Sequence, residues 1–153
     1  MAAPPMASLL FSVFSLVFLG EGRAFPTGAP QAPGKCRLEG TWVNELGSRM
    51  SISALDEEGR FSGSYLTGVS ASQNPIRTSG LSGAQQQGPQ PTFSFTVQWS
   101  FSDSTTAFVG QCFVTESGEE TLETTWLLRE AAPSHAQDWK ATRVGKNTFL
   151  RLK

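Results

Sequence analysis

The sequence predicts an all-β domain, an antiparallel barrel or sandwich of eight short strands. Three observations carry this. Strand-like segments follow one another at short spacing, with Gly, Ser, Asp and Pro turn signals between them. One segment alternates strictly, Phe93, Phe95, Val97 and Trp99 interleaved with Ser94, Thr96 and Gln98, which is the period of a half-buried strand. No stretch sustains a helical period. High Ser, Thr and Gly content with only 16 % charged residues fits strands and turns better than helices.

In chain order, residues 41–46 and 50–55 read as the first two strands, flanking the turn Gly47-Ser48. Asp56-Glu57-Glu58-Gly59 is a tight polar turn. Residues 60–67, with Tyr65, form the third strand, and residues 69–75 a polar loop. Residues 76–84 are weakly strand-like, and the Gln-, Gly- and Pro-rich residues 85–91 are loop. The alternating segment is the fifth strand. Residues 105–114 and 120–128 are the next two, about the turn Ser117-Gly118. Residues 130–138 break the pattern with room for a short helical turn, and residues 140–152 close the series as a strand. A barrel of eight strands is just wide enough to hold one small ligand, given apolar walls and a few fixed polar groups.

The length of 153 residues suits one such domain. Residues 1–24 read as a signal peptide: residues 8–19 are uncharged and apolar, too short for a bilayer span, and Gly22-Arg23-Ala24 supplies small residues at −3 and −1. The first seven residues lack Lys or Arg, so a membrane-tethered N-terminus is the alternative. Residues 25–35, with Pro26, Pro30 and Pro33, form an extended tail, and the folded domain is residues 36–152. Cys36 and Cys112 are the only cysteines; an oxidising compartment lets them pair, and a reducing one leaves two buried thiols. Two cysteines and one histidine are too few for a usual zinc site. A net charge of −1 argues against nucleic acid and anionic membranes as partners.

Four segments resemble the avidin family: KCRLEGTWVNELGSRMSI (35–52), QPTFSFTVQWSFSDSTTAFVGQCF (90–113), TTWLLR (124–129) and DWKATRVGKNTFLRL (138–152). They are long and mutually spaced, and the likeness runs over residues 35–152. It implies an eight-stranded antiparallel up-and-down β-barrel that binds biotin and is not an enzyme. Asn44, Ser48 and Tyr65 match the donors to the ureido oxygen. Thr67 and Asn147 match the acceptors for the two ureido N–H groups. Thr106 matches the hydroxyl near the ring sulfur. Trp99, Phe101, Phe108, Trp126 and Leu128 match the walls around the bicyclic ring. Ser70, Ala71 and Ser72 match the loop over the carboxylate, with Ser102 and Ser104 on its other side. Trp139 matches a tryptophan donated to a neighbouring subunit, and Cys36–Cys112 a disulfide. Trp42, paired with Arg143, resembles the barrel-closing pair of the wider calycin group.

The resemblance also implies a homo-oligomer, a tetramer or, because Thr125 and Lys146 stand beside Val144 where the family places an apolar cluster, a dimer. Further departures are Ser70 and Ser72 where threonine is common, Leu66, Gln73 and Pro75, a shorter region at residues 85–88, and no glycosylation sequon at Asn44, Asn74 or Asn147. The alternative is a lipocalin-like carrier of another apolar ligand. That group usually has a sizeable helix before the last strand, for which residues 130–138 are too few. A barrel that assembles without a ligand is a third reading. Enzyme motifs are lacking: His135 sits in a polar loop and Asp56, Glu57 and Glu58 in a turn.

Overall fold

The computed structural model describes residues 34–153; the expected signal peptide and most of the expected tail lie outside the described residues. Eight strands form one closed antiparallel barrel in sequence order: β1 (Gly40–Asn44), β2 (Arg49–Ile52), β3 (Arg60–Leu66), β4 (Ser79–Gln85), β5 (Thr92–Gln98), β6 (Ser104–Val114), β7 (Glu120–Glu130) and β8 (Thr142–Arg151). β8 pairs back onto β1, so no edge remains to template aggregation. Between β7 and β8 lies one 3₁₀ segment, His135–Lys140. Expected and observed strands differ at their ends. β1 stops at Asn44 because that side chain turns back to cap the following loop. β4 begins only at Ser79, opposite Tyr65 near the end of β3, so residues 76–78 have no strand partner. β7 runs on to Glu130, whose N–H reaches the Ala141 carbonyl at 2.8 Å.

Period-2 alternation decides what faces inward. Phe93, Phe95 and Val97 on β5, Phe108 and Cys112 on β6, Leu122 on β7 and Phe149 on β8 are all buried. Phe95 stacks on Phe93 at 6.2 Å and on Phe108 at 4.5 Å, an aromatic column that fills the barrel's interior.

Up-and-down order sends alternate loops to opposite ends. One end is sealed. Trp42 is fully buried there and donates Nε1–H to the Leu38 carbonyl at 2.8 Å. The guanidinium of Arg151 lies 4.2 Å from the Trp42 ring centre and also bonds the Glu120 carboxylate and the carbonyls of Arg37 and Glu39. This corrects the expected partner: Arg143 does not touch Trp42. The β1–β8 register sets Trp42 opposite Arg151, and eight residues of extended strand put Arg143 about 27 Å further along. The Cys36–Cys112 disulfide, with Cα atoms 5.9 Å apart, ties the segment before β1 to β6 at the sealed end. The β1–β2, β3–β4, β5–β6 and β7–β8 connections surround the open end.

Candidate functional site

A cavity of about 640 Å³ opens at that end. All the expected site residues line it except Trp139: Asn44, Ser48, Tyr65, Thr67, Ser70, Ala71, Ser72, Trp99, Phe101, Ser102, Ser104, Thr106, Phe108, Trp126, Leu128 and Asn147. Trp139 stands apart on the 3₁₀ segment, 82 % exposed. Leu46, Val69, Asp103, Glu130, Ala131 and Arg143 also line the cavity and were not expected there.

The cavity's chemistry follows from how each polar side chain is already used. Asn44 Oδ1 accepts the backbone N–H groups of Leu46 (3.0 Å) and Ser48 (2.9 Å). Those two bonds fix which way the amide faces, and its Nδ2 is left buried without an acceptor. Among the described residues only Gln85 Oε1 and Trp126 Nε1 share that condition, so two of the three unpartnered atoms belong to cavity residues. A buried polar group left unpaired costs roughly 1–3 kcal/mol, which a ligand acceptor recovers. Ser48 Oγ accepts the Gly68 N–H at 3.0 Å, so its own proton is available to the neighbouring Tyr65 oxygen or to a ligand acceptor. Gly68 is required there, since a side chain would strike the Leu46 carbonyl.

Tyr65 is the third donor. Desolvation by burial pushes its pKa up to about 12; a hydrogen bond with Ser48 works against this and the negative charge of Glu45 adds to it. The phenol is therefore a neutral O–H donor throughout the physiological range. Burial of the neutral form stabilises the fold fully below the unfolded value of about 10 and is lost as pH rises through about 12. The chain has one tyrosine, so the near-ultraviolet phenolate absorbance reports Tyr65 alone. An alkaline titration of the folded protein is expected to show its midpoint near 12; a midpoint near 10 would mean the ring is solvated.

Two acceptors stand with these donors. Thr67 gives its proton to the Val69 carbonyl at 2.7 Å and accepts the Val69 N–H at 3.3 Å, which leaves one lone pair of its cavity-lining hydroxyl to accept from a ligand. Asn147 donates Nδ2–H to Glu45 Oε1 at 2.6 Å, while Glu45 Oε2 accepts the Thr148 N–H at 3.1 Å. Glu45 thereby holds the Asn147 amide with Oδ1 free. Nothing in the sequence singles out Glu45, because its partner is 102 residues away. The set of three donors and two acceptors suits a planar group in which one strongly accepting oxygen lies between two N–H groups.

The walls are aromatic. Trp99 meets Tyr65 edge-on at 5.5 Å and Phe101 at 5.8 Å. Its Nε1–H bonds Thr106 Oγ1 at 2.9 Å, which leaves the threonine proton free to donate. The Trp126 ring lies over Gly145, where any side chain would collide with it. At the mouth, Asn74 Nδ2 and Ser72 Oγ both donate to the Phe101 carbonyl, at 2.9 and 3.5 Å, tying the β3–β4 loop to the β5–β6 loop. Asn74 is a second contributor that sequence patterns miss. A separate concavity of about 660 Å³ lies on the outer wall, around Val109, Phe113 and Lys146. It holds one buried unpartnered atom, Gln85 Oε1, and none of the converging donor set, whereas the interior cavity holds two, so the interior cavity is the candidate site.

A family model described as the avidin family matches residues 32–152. Avidin of Gallus gallus is 51 % identical over 129 residues, covering 80 % of this chain and 85 % of that protein. Avidin-related protein 4/5 of the same species is 52 % identical over 119 residues, 77 % of this chain and 79 % of that one. Among solved structures, a biotin-binding protein from chicken is 62 % identical with a TM-score of 0.75, covering 78 % of this chain and 98 % of its own. Xenavidin is 50 % identical with a TM-score of 0.75, over 77 % and 99 % respectively.

Proposed function

This chain belongs to the avidin family, a family of non-catalytic biotin-binding barrels, and from that premise we propose how its own residues hold biotin. Asn44 Nδ2, Ser48 and Tyr65 donate to the ureido oxygen. Thr67 and Asn147 accept from the ureido N–H groups, and Thr106 donates to the ring sulfur. Trp99, Phe101, Phe108, Trp126 and Leu128 enclose the bicyclic ring and valeryl chain. Ser70, Ala71, Ser72, Ser102 and Ser104 meet the carboxyl end. The observation that carries this is the buried, unpartnered Asn44 Nδ2 beside a neutral, desolvated Tyr65. A lipocalin-like carrier of a greasy ligand would have no use for that donor set.

Three donors on one oxygen favour negative charge on it and so strengthen each bond. The ligand's N–H groups then become better donors to Thr67 and Asn147. Isothermal titration of the secreted, oxidised protein with biotin tests the proposal. One tight site per chain is the expected result; no heat and no competition with biotin would overturn it.

Asn147→Ala removes one acceptor and is expected to weaken binding by about 1–3 kcal/mol. Glu45→Ala should produce part of that loss by freeing the Asn147 amide, and should add little in the Asn147→Ala background. Biotin dissociation rates of the two single variants and the double variant measure this coupling. Additive effects would mean that Glu45 acts elsewhere.

We propose secretion through residues 1–24; the Cys36–Cys112 bond fits an oxidising destination. The proposed assembly is a homo-oligomer in which Trp139 completes a neighbour's pocket. Its 82 % exposure leaves a large apolar ring for a partner to cover. Val109, Leu127 and Val144 are exposed on the outer wall as well. Lys146 sits directly opposite Thr125 across the β7–β8 ladder, so a symmetric contact there sets lysines against each other and favours a weaker tetramer or a dimer.

A further inference from the structure

We propose that the Arg129–Asp138 ion pair sets where Trp139 is presented to a neighbouring subunit, so that a bond on the outside of one barrel governs how long the next barrel keeps its biotin. The inference rests on the reading above that Trp139 completes a neighbour's pocket, and it concerns what holds that tryptophan in place. Trp139 sits in the 3₁₀ segment His135–Lys140, none of whose six residues is buried. A segment without an apolar anchor keeps its place through hydrogen bonds and opens easily when they are lost. Backbone bonds close its far end: the Ala141 N–H bonds the Asp138 carbonyl at 3.0 Å, and the Ala141 carbonyl accepts the Glu130 N–H at 2.8 Å. Among the described residues, Asp138 is the one residue of the segment whose side chain bonds outside it.

Arg129 is the penultimate residue of β7. The alternation that turns Leu128 and Glu130 toward the cavity turns Arg129 outward. Across the ladder it faces Thr142, the first residue of β8. The guanidinium forks: Nη1 donates to Thr142 Oγ1 at 3.2 Å, and Nη2 pairs with the Asp138 carboxylate. One planar group thus ties β7, β8 and the segment between them, which the single ammonium of a lysine would not reproduce. Asp138 directly precedes Trp139, so the bond fixes the backbone from which the indole projects. A ring fixed before association spares the assembly the entropy of ordering it afterwards. Neither Arg129 nor Asp138 lines the cavity of its own barrel, so any effect of either on biotin release there is indirect. Trp139 is the large apolar side chain of the segment and is open to another chain.

The side chains of Arg129 and Asp138 are 44 % and 50 % exposed, so the effect is modest. The experiment measures biotin dissociation rates and ligand-free melting. It uses the wild-type chain, Asp138→Ala, Arg129→Ala, Trp139→Ala, and Asp138→Ala combined with Trp139→Ala. Each ion-pair variant is expected to release biotin roughly 2- to 5-fold faster than the wild type, with melting close to that of the wild type. With Trp139 already removed, Asp138→Ala should change the rate no further, because the pair acts through that ring. An unchanged rate in both ion-pair variants would overturn the inference while leaving biotin binding intact. So would the same acceleration in the Trp139→Ala background, or a large fall in melting, either of which makes the pair a brace of the β7–β8 connection. If Trp139→Ala alone releases biotin at the wild-type rate, the shared-pocket reading falls and the inference with it. A wild-type chain that binds no biotin would instead sink the biotin assignment itself.

Discussion

Asn44→Asp is expected to leave the barrel folded while costing roughly 3 kcal/mol or more of biotin affinity, a factor of about a hundred or greater. The substitution separates two jobs that one side chain performs. The oxygen that accepts from Leu46 and Ser48 survives as a carboxylate oxygen, so the β1–β2 turn keeps both of its bonds. The buried Nδ2 that lacks a partner becomes a second oxygen. In the proposed binding mode a donor to the ureido oxygen is replaced by an acceptor that carries negative charge, and repulsion takes the place of attraction. The burial of Tyr65 beside it makes the loss larger than a surface exchange would give, because the site is poorly screened. Thermal melting without ligand and competition titration with biotin measure the two jobs independently. A melting point close to that of the wild type with binding reduced by a hundredfold or more is the expected pair. Near wild-type affinity would remove Asn44 from the ligand contacts.

Removing the disulfide is expected to have the largest effect on stability. Cys36→Ala with Cys112→Ala should cost about 3–5 kcal/mol, because the bond closes a long loop, with a sequence separation of 76. Both cysteines are buried, so the double variant also loses packing. The damage extends to the barrel's sealed end. Cys36 stands two residues from Leu38, whose carbonyl receives the Trp42 indole N–H, and one from Arg37, whose carbonyl receives Arg151. Loosening this segment exposes the Trp42–Arg151 stack to water. Melting of the double variant should fall by roughly 10–20 °C. A shift of only a few degrees would mean that the barrel ladder alone holds this end, and that the bond serves resistance to unfolding rates more than equilibrium stability.

Sequence patterns carried most of the architecture. Strict alternation at residues 93–99 predicted which side chains of β5 point inward, and Phe93, Phe95 and Val97 are buried as that period requires. The turn glycines at 47, 59 and 118 all take positive φ, which L side chains rarely adopt, so composition marked these corners in advance. Strand ends were less legible. Asn44 belongs to strand and cap at once, and only the position of the Ser48 N–H decides where pairing stops. The weakly strand-like segment 76–84 carries no turn signal at the true start of β4, Ser79.

By itself the chain's order of residues determined that strands would form, which of their faces would be apolar, and which side chains resembled a biotin-binding set. These properties are local, or are carried by short motifs, and survive reading one residue at a time. Tertiary structure alone decided which donors and acceptors are free. Asn44 Nδ2 is available because two backbone N–H groups claim its oxygen, and Asn147 Oδ1 because Glu45, 102 residues away, claims its nitrogen. It likewise gave Trp42 to Arg151 rather than Arg143, through the register that closes β8 on β1. Hydrogen-bonding capacity is finite, so what a side chain can offer a ligand depends on what the fold has already taken from it.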